Sequence, residues 1–137
     1  MSEASESARH DGPRVCPIAG ALQLVGERWS LLVLRELNYG VHRFKEIQAN
    51  TGAPKETLSL RLRKLEEIGV IERRRYSEHP PRDEYFFTEA GRATAPILDA
   101  LETWGDTYAL PVVYPDVDAD AIRRAARGLR VAAASAL

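Results

Sequence analysis

The chain has 137 residues, 45% of them hydrophobic and 28% charged, with a formal net charge of −1. That length suits one domain with its own core and an accessory helix. No apolar run approaches the ~18 residues of a membrane span, and the polar start, with Glu3, Glu6, Arg9 and Asp11, lacks the apolar centre of a signal peptide, so a cytoplasmic location without a membrane partner is expected. The single cysteine excludes an internal disulfide framework.

Residues 1–15 read as a disordered N-terminal arm. Cys16-Pro17 then opens a short packing helix with the stripe Ile18, Leu22 and Val25, ending near Gly26. A second helix runs from Arg28 to Leu37 with Trp29, Leu32, Val33 and Leu37 inward, and Asn38-Tyr39-Gly40 stops it. Val41 to Arg43 reads as a short extended piece. Phe44 to Asn50 reads as a third helix with Phe44 and Ile47 on one face, broken by Thr51-Gly52-Ala53.

Pro54 to Gly69 is an amphipathic helix. Leu58, Leu62 and Leu65 follow the i, i+4, i+7 spacing of a buried stripe, with Ile68 at its border. Pro54 suits a first helical turn, and Gly69 the position just past the end. The other side carries Lys55, Glu56, Thr57, Ser59, Leu60, Arg63 and Lys64, which include cations for phosphates and short polar groups for base edges. Helix, short glycine-containing turn, helix is the helix-turn-helix arrangement, and 54–68 is its expected recognition helix. An exposed Leu60 suits either a thymine methyl contact or incidental surface. Arg61, between the two faces, suits either a phosphate clamp or an ion pair at the core edge.

Val70 to Tyr76 and Glu84 to Phe87 read as strands joined by Ser77 to Asp83, a β-hairpin wing with Tyr85 and Phe87 on one side. Arg82, at the returning base of that loop, is placed to meet backbone or a minor groove. Arg73, Arg74 and Arg75 alternate sides of their strand, so at most two share a face. Thr88-Glu89 starts a long helix, bent by Pro96, along which Ile97, Leu101, Trp104 and Tyr108 repeat at i, i+4, i+7, i+11. So long a stripe has little left to pack against in one chain, and a second subunit would cover it. Residues 111–137, after Pro111 and Pro115, read as a linker and a C-terminal helical extension.

Charge is unevenly placed. From Lys55 to Arg82, eight cations stand against five carboxylates, a net of +3; from Asp83 to Asp120, one cation stands against nine, a net of −8. The first segment suits a polyanion, because counterion release depends on the phosphates contacted and not on total charge.

Enzymatic chemistry finds little support. His10, His42 and His79 are scattered without metal-ligand spacing, no glycine-rich phosphate loop is present, and Cys16 lacks a general base, so no catalytic residue, metal or cofactor is expected. Cys16 precedes a helix N-terminus, which favours a thiolate, and Arg14 lies close in sequence; it reads either as a thiol sensor of electrophiles or oxidants or as a small helix-start residue. Trp104 and Tyr108 read as packing, or as the lining of an effector pocket at a subunit seam.

Three segments, CPIAGALQLVGERWSLLVLRELNYGVHRFKEIQ, TLSLRLRKLEEIGVIERRRY and HPPRDEYFFTEAGR, together resemble the HxlR family of bacterial winged-helix transcription regulators across about residues 16 to 108. The resemblance joins six features in order: Cys-Pro, Gly-x-x-Trp, RF-x-E-I, L-x-x-R-L-x-x-LE, PPR-x-EY and T-x-x-G. It implies homodimers joined by their terminal helices, with both recognition helices in successive major grooves of a pseudo-palindromic operator, and similarity in thiol sensing at the Cys16 position. The tail after Tyr114 runs past the usual family end.

The expected fold is therefore mainly α with a small β-hairpin wing, an α+β winged helix-turn-helix over 16–110. DNA contacts are expected from Lys55, Glu56, Thr57, Ser59, Leu60, Arg61, Arg63, Lys64 and Arg82, with wing 76–83 on backbone or minor groove. Dimer contacts are expected from Ile18, Leu22, Ile97, Leu101, Trp104 and Tyr108. The partners are double-stranded DNA, a second copy of the chain, and a small electrophile, oxidant or other effector through Cys16. The alternative is a winged-helix module that binds protein through its C-terminal helix, which would not require the cations Lys55, Arg63, Lys64 and Arg82.

Overall fold

Apolar periodicity at 3.6 residues builds the centre of the computed structural model, which describes residues 12–109. The chain runs α1 (Pro17–Val25), α2 (Arg28–Asn38), α3 (Phe44–Thr51), α4 (Lys55–Glu67), β1 (Ile71–Glu78), β2 (Pro81–Phe87), α5 (Glu89–Arg92) and α6 (Ala95–Tyr108). Trp29, Val33, Leu34 and Leu37 of α2 meet Ile47 of α3, Leu58, Leu62 and Leu65 of α4, and Val70 and Ile71 in one core. The expected C-terminal extension over 111–137 lies outside the described residues, as does the expected N-terminal arm apart from residues 12–15.

The α3–α4 turn is closed by local hydrogen bonds. Gly52 takes the left-handed conformation, φ +74°, that ends α3 at little steric cost, and its N–H reaches the Gln48 carbonyl at 2.9 Å. The Thr51 hydroxyl donates to the Ile47 carbonyl at 2.7 Å and accepts from Ala53 N–H at 3.2 Å. Pro54 is extended at ψ 145° and precedes α4 as its cap, one residue earlier than its expected place in the first turn. A buried carboxylate joins α2 to α3: Glu36 accepts from Arg35 Nε at 2.8 Å and from Asn50 Nδ2 at 2.7 Å.

Three expectations need correction. The wing loop expected over Ser77 to Asp83 shrinks to His79-Pro80, joined by a cis peptide bond, because the strands pair as far as Glu78 with Pro81. A two-stranded ribbon exposes both faces at its tip, so polar residues there do not mark a loop. The helix expected to start at Thr88 and bend at Pro96 is two helices. Thr88 caps α5, the chain turns at Ala93-Thr94, and Pro96 lies in the first turn of α6, since its ring and missing N–H do not let a helix run through. Finally, α1 does not pack inward. It buries no residue, Ile18 and Leu22 are 72% and 61% exposed, and Val25 at its end packs against the core.

Val41 to Arg43 is extended as expected. Arg43 bridges to Glu84, and Tyr85 N–H bonds the His42 carbonyl at 2.9 Å, which seats the wing on the start of α3. Behind the wing, α5 presses on the strand that leaves the core. A Cβ at Gly91 would come 2.1 Å from the Val70 carbonyl oxygen and 2.7 Å from Phe87 Cδ1. Gly91→Ala is therefore expected to cost about 2–3 kcal/mol in urea unfolding; an unchanged midpoint would show that α5 yields freely.

Candidate nucleic-acid interface

Burial of Leu58, Leu62 and Leu65 at 0–1% exposure sets the rotation of α4 and so decides which residues it presents. Lys55, Glu56, Leu60, Arg63 and Lys64 are exposed, and Thr57 and Ser59 are half-exposed beside them. Arg61 stands apart from this set. Its guanidinium turns to the α1–α2 junction, where Nε lies 3.3 Å from Glu27 Oε2.

Ion pairing sorts the remaining cations. Arg73 lies 3.7 Å from both Glu66 and Asp83, and Arg75 lies 3.3 Å from Asp83 and 3.7 Å from Glu78. Arg74 pairs with Glu72 and covers the Phe86 ring, on which His42 stacks at 4.2 Å. Such half-exposed pairs contribute only about 0–1 kcal/mol each to stability, but they neutralise the arginine run locally. By contrast, Lys45, Lys55, Arg63, Lys64 and Arg82 take part in no ion pair among the described residues.

Lys45, Arg63 and Arg82 of this set line a trough between α4, α3 and the wing, and Lys55 and Lys64 stand on the exposed face of α4 beside it. One part, about 590 Å³, is lined by Ser59, Arg63, Glu66 and Arg73; the other, about 430 Å³, by Arg43, Lys45, Tyr76 and Arg82. Phe44 and Tyr85 line both, so the face of α4 is continuous with the wing. Burial pushes the Tyr85 phenol above its ordinary pKa, with Arg73 opposing and Asp83 and Glu66 reinforcing the shift, and it remains neutral at physiological pH.

Sequence reasoning missed the first of the two helices as part of this face. Arg43 caps α3 without a side-chain hydrogen bond; its guanidinium lies 4.5 Å over the Tyr76 ring and 3.6 Å from Glu84, and Lys45 follows in the first turn. Their signal was their position: the first helix of a helix-turn-helix crosses a nucleic-acid backbone, so cations at its start belong with those of the second.

Away from the trough, Ile18 and Leu22 on α1 and Ile97, Leu101, Trp104 and Tyr108 on α6 form exposed apolar faces, the last four at 46–54% exposure. Trp104 and Tyr108 contact each other at 5.5 Å between ring centroids. A cavity of about 290 Å³ between α2 and α6 is lined by Leu31, Leu32, Tyr39, Leu98 and Leu101; neither Trp104 nor Tyr108 is among its walls. Cys16 caps α1, its Sγ accepting Ala19 N–H at 3.3 Å, and is half-buried.

Comparison with known proteins bears on the family and the fold. The family model described as HxlR-like helix-turn-helix matches residues 24–112. A Mycobacterium tuberculosis protein named as an uncharacterised HTH-type transcriptional regulator is 47% identical over 108 residues, which is 79% of this chain and 66% of that one, just under two thirds of its length. Among solved structures, the redox regulator HypR in its oxidised form is 30% identical with a TM-score of 0.64, over 71% of this chain and all of that one. The reduced form of the transcriptional regulator YodB from B. subtilis is 31% identical with a TM-score of 0.58, over 72% of this chain and 99% of that one. The chain belongs to the HxlR-like helix-turn-helix family.

Proposed function

We propose that the chain regulates transcription as a homodimer that binds a pseudo-palindromic operator in double-stranded DNA. The carrying observation is the set of unpaired cations along one trough and the adjoining exposed face of α4, next to arginines that are neutralised within the protein. In this reading α4 enters the major groove, and Lys55, Arg63 and Lys64 hold phosphates while Thr57, Ser59 and Leu60 approach base edges beside Glu56. Arg82 on the wing, with Lys45 and Arg43 at the start of α3, holds the flanking backbone. Arg61, committed to Glu27, is not proposed as a DNA contact.

Dimerisation would cover the outward faces of α1 and α6 and set the half-sites ~34 Å apart, one helical turn. Cys16 at the start of α1 would then report oxidants or electrophiles. HypR is named a redox regulator, and YodB has also been solved after diamide treatment. With one cysteine per chain, oxidation joins two Cys16 thiols across the dimer, or one Cys16 and a small thiol; in each case two thiols lose two electrons and two protons to the oxidant and one S–S bond forms.

Three outcomes are expected. Lys64→Ala and Arg82→Ala should each weaken binding to every duplex and lower the salt slope by about one, whereas Arg75→Gln should leave the slope unchanged; equal slopes for all three would remove the phosphate assignment. In sedimentation velocity, Leu101→Glu combined with Trp104→Glu should convert dimer to monomer, and a persisting dimer would place the interface elsewhere. Diamide should shift operator affinity of the parent but not of Cys16→Ser; the same response in both would exclude Cys16 as the sensor.

A further inference from the structure

One carboxylate serves both the start of α2 and the middle of α4. Glu27 Oε2 accepts Ser30 N–H at 3.0 Å, capping α2, and the same oxygen lies 3.3 Å from Arg61 Nε. The Arg61 Nε is buried and has no aligned acceptor, so its contact with Glu27 is one of charge and packing without a closed hydrogen bond at that nitrogen. A small rotation of either partner would therefore change the contact.

The location of this pair matters because α1 is held by so little. No residue of α1 is buried, and among its described residues Val25, at the C-terminal end, is the one that packs against the core. Gly26 follows immediately, with its N–H on the Leu22 carbonyl at 2.9 Å; an added Cβ would come 2.4 Å from that oxygen, so the chain passes close to the end of α1 where no side chain fits. Displacement of α1 consequently reaches the domain at Gly26 and Glu27. The recognition-helix group it meets there is Arg61.

We propose that Glu27 and Arg61 are a positioning pair, setting the rotation of α4 against the α1–α2 junction and so coupling the state of α1 to operator recognition, without either residue touching DNA. Arg61 stands one turn after Thr57, next to Leu60 and three residues before Lys64. Turning a helix about 10 Å across by roughly 10° moves its outer side chains by ~1 Å, enough to spoil hydrogen bonds to base edges. Stability is a poor reason for the pair, since both side chains are partly exposed and such pairs contribute little. The proposal rests on the DNA-binding reading for its consequence, but not for its structural content.

The test uses the full chain as E27Q, R61M and the double variant, in two arms. In the DNA-free arm, a ¹H–¹⁵N spectrum of E27Q, in which the Gln carbonyl still caps Ser30, should show shifted amides along residues 57–64 with a near-parental melting temperature. Shifts confined to the neighbours of Ser30 and Arg61 would overturn the proposal. In the DNA arm, E27Q and R61M should each weaken operator binding about tenfold while leaving random-duplex binding and the salt slope unchanged, and the double variant should be no weaker than either single. Additive losses, or an R61M that lowers the salt slope by about one, would overturn it and make Arg61 a phosphate contact. Should the parent itself bind no duplex selectively, the operator reading fails and the spectral arm alone decides the pair.

Discussion

Burial of Leu58, Leu62 and Leu65 against Leu34 and Ile47 is the constraint on which the remainder depends. Each leucine removed from water is worth about 2 kcal/mol, and at 100° per residue a helix that satisfies all three has no choice of which side it shows. Lys55, Arg63 and Lys64 are outward because these leucines are inward. The short α3–α4 turn, closed by Gly52 and the Thr51 hydroxyl, then fixes the angle between the two helices. The buried Glu36, tied to Arg35 and Asn50, holds that unit on α2.

Around this frame the chain distributes charge by pairing as much as by composition. A net charge of −1 describes neither side of the molecule. The arginine run of β1 looks like the most basic feature of the sequence, yet Glu66, Glu72, Glu78 and Asp83 answer it within the protein. Of the cations left over, Lys45, Arg63 and Arg82 line the trough and Lys55 and Lys64 stand on the exposed face of α4, while Arg92 lies apart on α5. A protein so arranged needs no overall positive charge to meet a polyanion, because the local field and the phosphates reached determine counterion release.

Much of this was legible in the sequence where local rules act alone. Periodicity found the stripes of α2 and α4, glycine marked the ends of helices at Gly40, Gly52 and Gly69, all three at positive φ, and Thr88 announced a helix start. What periodicity cannot report is where the partner of a stripe lies. Ile18 and Leu22 form a stripe, but it faces outward, and only the coordinates separate that case from a packed one. Polar residues at the wing tip concealed paired strands, since a ribbon open on both sides places no demand on hydrophobicity. Arg61 suited two readings until Glu27 was found beside it, 34 residues away in sequence. Arg43 and Lys45 carry no periodic signal of their own, since single cations at a helix start are equally common on a solvated surface.

The molecule thus carries two kinds of exposed surface with different chemistry, a cationic trough and the apolar faces of α1 and α6. The most direct measurement is a fluorescence-anisotropy titration of the full chain against duplexes from upstream of its own and neighbouring genes, alongside random duplex, at several salt concentrations. Sequence-selective binding whose affinity falls steeply with salt, at a stoichiometry of two chains per duplex, is the predicted result. Equal affinity for every duplex, or no binding to any at low salt, would contradict operator recognition by this face.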